Sequence, residues 1–109
     1  MIENIRSIIN NYDSKINVQN IEFSNNVIDI EDLLSLYDLR LNIYKSNAAS
    51  FRDIKFLNKK IEMLKNLEKL NILKIKMVAV DKYIFYFNEN FDKIYLIINK
   101  ITNDIKFLL

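Results

Sequence analysis

The spacing of apolar side chains changes from helical to strand-like within residues 59–87, KKIEMLKNLEKLNILKIKMVAVDKYIFYF. Up to Leu70 the apolar residues recur every three or four positions, as they do along one side of an α-helix. Asn71 is a residue type that can end a helix in the left-handed conformation. Beyond it, apolar residues alternate with lysines, and a run of mostly aromatic residues follows at 83–87. We therefore expect a helix followed by a two-stranded β-hairpin that turns at Asp81 and Lys82.

The same reading of periodicity extends over most of the chain. Asp29 and Asn58 are suitable N-caps for two of the expected helices. The expected elements are a helix at about residues 2–12, short extended segments between 16 and 30, a helix at about 30–44, a short helix near 48–56, a helix at 59–70, and hairpin strands at 72–80 and 83–88.

Residues 89–109 carry apolar side chains at a 3-4-3-4-3 spacing, which is typical of a coiled-coil seam. We therefore predict a long C-terminal helix whose seam forms a homodimer interface. The residues of this seam are Phe91, Ile94, Ile98, Ile101, Ile105 and Leu108.

The helix expected at residues 30–44 is apolar on two sides. One stripe includes Ile30, Leu34 and Tyr37, and a second consists of Leu36, Leu39 and Ile43. A helix of this kind is usually central in its domain, or it shares one side with a partner chain.

The 109-residue chain contains no Gly, Pro, Cys, His or Trp. Without Cys or His it has no thiolate nucleophile, no imidazole base and no zinc site of the usual type. Without Gly it has no glycine-rich phosphate-binding loop. We therefore expect one domain with no catalytic residues, no metal and no cofactor.

Charges interrupt every apolar run, and the first residues do not form a signal peptide, so we expect a cytoplasmic protein that does not enter a membrane.

The charges are unevenly distributed along the chain. Residues 1–44 carry a net charge of −4, residues 45–76 a net charge of +6, and residues 77–109 no net charge. A basic region of this kind is typical of a surface that contacts the phosphate backbone of a nucleic acid.

The order helix, short helix, helix, hairpin over residues 29–88 resembles the winged helix-turn-helix superfamily. The resemblance rests on residues 63–73 (MLKNLEKLNIL), Lys74, Lys76 and the strand at 83–87, which look like a recognition helix, turn and wing. Asn71 stands where these families usually have Gly. A helix after the wing is similar to that of PadR-like regulators, which dimerise through it.

This resemblance implies an α+β fold with a winged-helix-like domain, mostly helical with a two-stranded β-hairpin and a long C-terminal helix. Residues 1–28 would form an N-terminal helix and an extended segment, residues 29–88 the winged-helix-like core, and residues 89–109 the dimerisation helix.

We expect the helix at residues 59–70 to enter the major groove of double-stranded DNA. Lysines there would bind phosphates, and Asn66 could make a bidentate contact to adenine. The residues expected to contact DNA are Lys59, Lys60, Met63 and Asn66, with Arg52, Lys55, Lys74 and Lys76 flanking the groove. The alternative is that these lysines are solvated surface residues, with Glu62 and Glu68 pairing locally.

The sequence therefore predicts a small, dimeric, non-enzymatic regulator of transcription that binds double-stranded DNA. The alternative is a non-catalytic protein-interaction module, such as a small viral or plasmid-encoded protein that binds a host protein. The positions of the lysines of residues 45–76 distinguish the two, because one basic face favours DNA and scattered lysines favour the interaction module.

Overall fold

The computed structural model describes all of residues 1–109 and has an α+β fold with three helices and a six-stranded antiparallel sheet. The chain forms two compact units. The sheet unit contains Met1–Val27 and Ile75–Leu109, and the helix-pair unit contains Ile28–Lys74. The elements are α1 (Ile2–Tyr12), β1 (Ile21–Phe23), β2 (Ile28–Asp29), α2 (Ile30–Ser46), α3 (Phe51–Lys69), β3 (Lys74–Val80), β4 (Tyr83–Phe87), β5 (Ile94–Asn99) and β6 (Ile105–Phe107).

The strands run in the order β1-β3-β4-β5-β6, with the two-residue β2 off this path. The predicted hairpin is present, because β3 pairs with β4 in antiparallel register. Val80 lies opposite Tyr83 at the turn. Its turn contains Asp81 at φ 55°, a backbone conformation that Asp tolerates better than most residues. The hairpin is only part of a larger sheet, however, so the prediction of an isolated two-stranded hairpin is wrong.

Helix α1 packs on one face of this sheet and confirms the helix predicted at residues 2–12. Its buried residues Ile5 and Ile9 join the side chains of Val78, Phe85 and Phe87 in one core. Successive strand residues point to opposite faces, so Phe85 and Phe87 share the face that α1 covers. These two rings are fully buried and serve as core.

The long C-terminal helix predicted for residues 89–109 is absent, because this part of the chain forms β5 and β6. Residues 94–98 (IYLII) are apolar at every position, and a continuous apolar run fits a strand buried on both faces as well as a helix. The chain then turns at Asn99, whose Oδ1 accepts hydrogen bonds from the backbone N–H groups of Ile101 and Thr102. Asn103, at φ 62°, completes the turn.

In the helix-pair unit, α2 and α3 pack against each other. Helix α3 is continuous from Phe51 to Lys69, so the predicted break at Asn58 is wrong. Asn58 lies exposed in the helix interior, where Asn costs only about 0.7 kcal/mol relative to Ala. Asn71 adopts the left-handed conformation that the sequence predicts, with φ 61°.

The predicted winged-helix-like fold is therefore wrong. A pair of long helices replaces the expected helix, short helix and helix, and the hairpin belongs to a six-stranded sheet. The α+β class is correct, but the strands contribute much more of the fold than the sequence indicates.

Candidate nucleic-acid interface on helix α3

Helix α3 begins at a side-chain cap and has one buried side. The Ser50 hydroxyl oxygen accepts a hydrogen bond of 3.1 Å from the backbone N–H of Asp53, which satisfies one of the free donors of the first turn. The buried side chains recur every three or four residues, which fixes the rotation of the helix about its axis. These are Leu57, Ile61, Leu64 and Leu67.

The opposite side of α3 carries a continuous row of polar residues at a 3-4-3-4-3 spacing, which we call the α3 stripe. All of its members are exposed except Asn66, which is half-buried. At 1.5 Å per residue the stripe is about 26 Å long. The α3 stripe consists of Arg52, Lys55, Lys59, Glu62, Asn66 and Lys69.

The α3 stripe has four cationic side chains and one carboxylate. Lys55, Lys59 and Lys69 make no ion pair within the chain, and the described ion pair, between Arg6 and Glu3, lies in the sheet unit. The ammonium groups are therefore free to bind an anionic partner. Three of the eight lysines of residues 45–76 lie on the α3 stripe, and the other five lie outside it, so the lysines as a group do not form one face. These five are Lys45, Lys60, Lys65, Lys74 and Lys76.

Lys60 and Met63, both predicted to contact DNA, lie outside the α3 stripe and are half-buried. The Lys60 Nζ atom lies 4.3 Å from the ring centroid of Phe56 and 5.3 Å from that of Tyr37. Burial, and to a lesser extent the nearby charge of Arg40, lowers the pKa of the Lys60 ammonium below its ordinary value. Lys60 therefore contributes to the packing of α2 on α3.

The remaining predicted DNA contacts fall in different units. Lys74 is exposed in the helix-pair unit. Lys76 is half-buried in the sheet unit, with Nζ 4.9 Å from the ring centroid of Phe91, so its aliphatic stem takes part in packing.

The predicted dimer residues follow β5, β6 and their flanking turns. Phe91, Ile94 and Ile98 are buried within the chain itself, Ile105 and Leu108 are half-buried, and Ile101 is exposed. They do not line one accessible seam.

A different apolar surface is exposed on α2, which we call the α2 stripe. It consists of Leu36, Leu39 and Ile43, with relative exposures of 49%, 59% and 49%. Their spacing of three and four places them on one side of the helix. The α2 stripe is the second apolar stripe that the sequence predicts.

The sheet unit contains a cleft of about 180 Å³ that the sequence patterns do not predict. Tyr12 and Tyr83 line it together with Asp13, Asn99 and Lys106, which come from the end of α1, its C-cap and the strands β4, β5 and β6. Residues so far apart in the chain have no common spacing, so only the folded sheet brings them together.

Two classes of site have no counterpart in the structure. No group of three or more acidic side chains is placed to hold a metal ion. No helix has both the length and the apolar surface required to cross a bilayer. Comparison with models of protein families, with curated proteins and with solved structures gives no match.

Proposed function

We propose that this protein binds double-stranded DNA through the α3 stripe. The observation that carries the proposal is the row of Arg52, Lys55, Lys59 and Lys69 on one exposed helix face, with the three lysines free of ion pairs. Cationic side chains that replace condensed counterions on DNA phosphates supply most of the affinity of such proteins.

The shape of the α3 stripe also fits a duplex. A helix with side chains is about 10–12 Å across, and the major groove of B-DNA is about 12 Å wide.

The proposed role is that of a cytoplasmic, non-enzymatic DNA-binding protein such as a small transcriptional regulator.

The test is fluorescence anisotropy of a labelled duplex of random sequence, titrated with the protein at about 50 mM and about 200 mM salt. If all four cations of the α3 stripe neutralise phosphates, affinity should fall about a hundredfold between these salt concentrations. The triple variant Lys55→Ala, Lys59→Ala, Lys69→Ala should lose most of both the affinity and the salt dependence.

The matched control is Lys15→Ala, Lys93→Ala, Lys100→Ala, which removes three exposed lysines from the sheet unit and causes the same change in net charge. It should bind almost as tightly as the unmodified chain. Equal losses in the two triple variants would show an effect of net charge alone, and no binding at the lower salt concentration would contradict the proposal.

A second candidate function, protein interaction, is favoured by the α2 stripe. We propose that the partner is a second copy of the chain. A twofold axis uses the same patch on both subunits, so one self-complementary apolar stripe is sufficient to form the contact. The α2 stripe thus replaces the C-terminal seam as the proposed dimer interface.

Sedimentation equilibrium tests this second proposal. The chain should show concentration-dependent dimerisation, and Leu39→Lys, which places a charge in the centre of the α2 stripe, should be a monomer. A chain that is monomeric at every concentration would rule out self-association, and the α2 stripe would then be tested against other proteins.

A further inference from the structure

The α3 stripe is interrupted at its centre by two side chains that do not suit phosphate binding. Glu62 and Asn66 lie between Lys59 and Lys69 on the stripe. Glu62 is three positions after Lys59, and Asn66 is three positions before Lys69. A carboxylate in the middle of a phosphate-binding surface repels the DNA backbone, so its position there requires an explanation.

Local pairing does not provide that explanation. Glu62 is three residues from both Lys59 and Lys65, a spacing at which ion pairs form readily on a helix. Nevertheless Glu62 makes no ion pair or hydrogen bond within the chain, and the same is true of the Asn66 side chain. Both side chains keep their full hydrogen-bonding capacity for a partner.

We infer that Glu62 and Asn66 contact base edges in the major groove, and that the protein selects duplexes with a cytosine and an adenine within about two base-pair steps of each other. A carboxylate accepts a hydrogen bond from the cytosine N4 amine, and an Asn amide makes a bidentate contact to adenine. This inference rests on the proposed function, since it names the DNA sequence that the same α3 stripe recognises.

The spacing along the helix agrees with this assignment. Glu62 and Asn66 are four residues apart, which is about 6 Å along the axis and about two base-pair steps of 3.4 Å. Lys59 and Lys69 are about 15 Å apart along the same axis. They lie beyond the pair on either side, where the phosphates that border the groove can be reached while the centre of the helix faces the bases.

The Glu62 carboxylate also allows the protein to discriminate against other DNA sequences by repulsion. It weakens binding to any duplex in which no donor meets its carboxylate, because a charged group left without a partner at the interface is penalised. Changing Glu62 to Gln should therefore strengthen binding to random DNA while it weakens the choice between sequences.

The experiment is selection of bound duplexes from a pool with a randomised central segment, followed by sequencing. The unmodified chain should enrich a cytosine and an adenine within about two base-pair steps of each other. Glu62→Gln should lose the cytosine preference and bind the unselected pool more tightly, and Asn66→Ala should lose the adenine preference. Each selected pair should improve affinity by about tenfold over a substituted one.

Glu89→Gln is the matched control, since it removes an exposed carboxylate from the sheet unit and should select the same sequences as the unmodified chain. If the unmodified chain binds duplex DNA in a salt-dependent way but enriches no such pair, the inference is overturned and the proposed function stands. If it binds no duplex at low salt, both are overturned. The selection with the unmodified chain alone gives this answer, so the result does not depend on the folding of any variant.

Discussion

Helices α2 and α3 are of similar length and pack against each other, yet their exposed sides differ completely. Both bury large apolar side chains, Leu34 and Tyr37 on α2 and Leu57 and Leu64 on α3. The exposed residues of α2 include the apolar α2 stripe beside charged residues such as Asp38 and Arg40, whereas those of α3 include the cationic α3 stripe.

The difference shows which part of each helix the fold constrains. Burial fixes the chemistry of the inward sides, because an unpaired polar group there would be costly. It leaves the outward sides free to differ, and we propose DNA as the partner of the α3 stripe and a second copy of the chain as the partner of the α2 stripe.

The largest expected effect concerns the buried sides, which are apolar in both helices. Leu64 is 1% exposed and Leu39 is 59% exposed. Leu64→Ala should lower the free energy of unfolding by about 2–5 kcal/mol, because it leaves a cavity in the core. Leu39→Ala should change it by less than about 0.5 kcal/mol. Urea denaturation measures both values, and similar losses in the two variants would mean that the α2 stripe is structural.

The next expectation concerns the independence of the two surfaces. The triple lysine variant of α3 should lose DNA binding and still dimerise, whereas Leu39→Lys should become monomeric and still bind DNA with salt dependence. Anisotropy and sedimentation equilibrium on the same samples give the comparison. Loss of both properties in either variant would show that the two stripes act as one surface.

A smaller effect is expected where the two helices begin. Ser50 caps α3 through its side chain, but Asp29 at the start of α2 makes no side-chain cap hydrogen bond. Ser50→Ala should therefore cost about 1 kcal/mol of unfolding free energy. Asp29→Ala should cost less, since only its interaction with the helix dipole is lost. Chemical denaturation measures both losses, and a larger loss of unfolding free energy for Asp29→Ala than for Ser50→Ala would contradict this prediction.

The smallest effect concerns Lys60, which lies over the rings of Tyr37 and Phe56. Its pKa is lowered in the folded chain from the ordinary 10.5, mainly by burial. Between the lowered value and 10.5 the unfolded chain binds more protons, so the contribution of this group to stability rises as pH rises through that window. Lys60→Met keeps the apolar stem and removes this dependence.

The measurement for Lys60 is the difference in unfolding free energy between the unmodified chain and Lys60→Met at about pH 8 and about pH 10. The unmodified chain should gain stability relative to the variant at the higher pH. A difference that is constant or falls would mean that the ammonium is not desolvated in the fold.

The sequence predicted the elements that have one strong period and a clear end. Helix α1 and the β3–β4 hairpin were located from spacing alone, and Asn71 was correctly placed in the left-handed conformation. The prediction failed at Asn58, where a possible cap lies inside a continuous helix. Ser50 was the real cap, and nothing local distinguishes a polar residue that caps a helix from one that faces solvent in its interior.

Most residues of the candidate site could also be predicted from the sequence. Arg52, Lys55, Lys59 and Asn66 lie on one face of α3 because a helix repeats every 3.6 residues. Lys60 and Met63 were expected to face outward because they lie outside the apolar stripe of the expected helix, whose packing partners the sequence does not show. Only the packing of α2 shows that Lys60 is half-buried against aromatic rings.

By itself, the sequence determined the α+β class, the basic character of the middle of the chain and the two apolar sides of α2. The tertiary structure decided that residues 94–98 form a strand, since an unbroken apolar run satisfies helix and strand periods equally. It also decided the size of the sheet and the composition of the cleft at Tyr12 and Tyr83. Strand pairing joins residues that are distant in the chain, and spacing along a sequence carries no information about such partners.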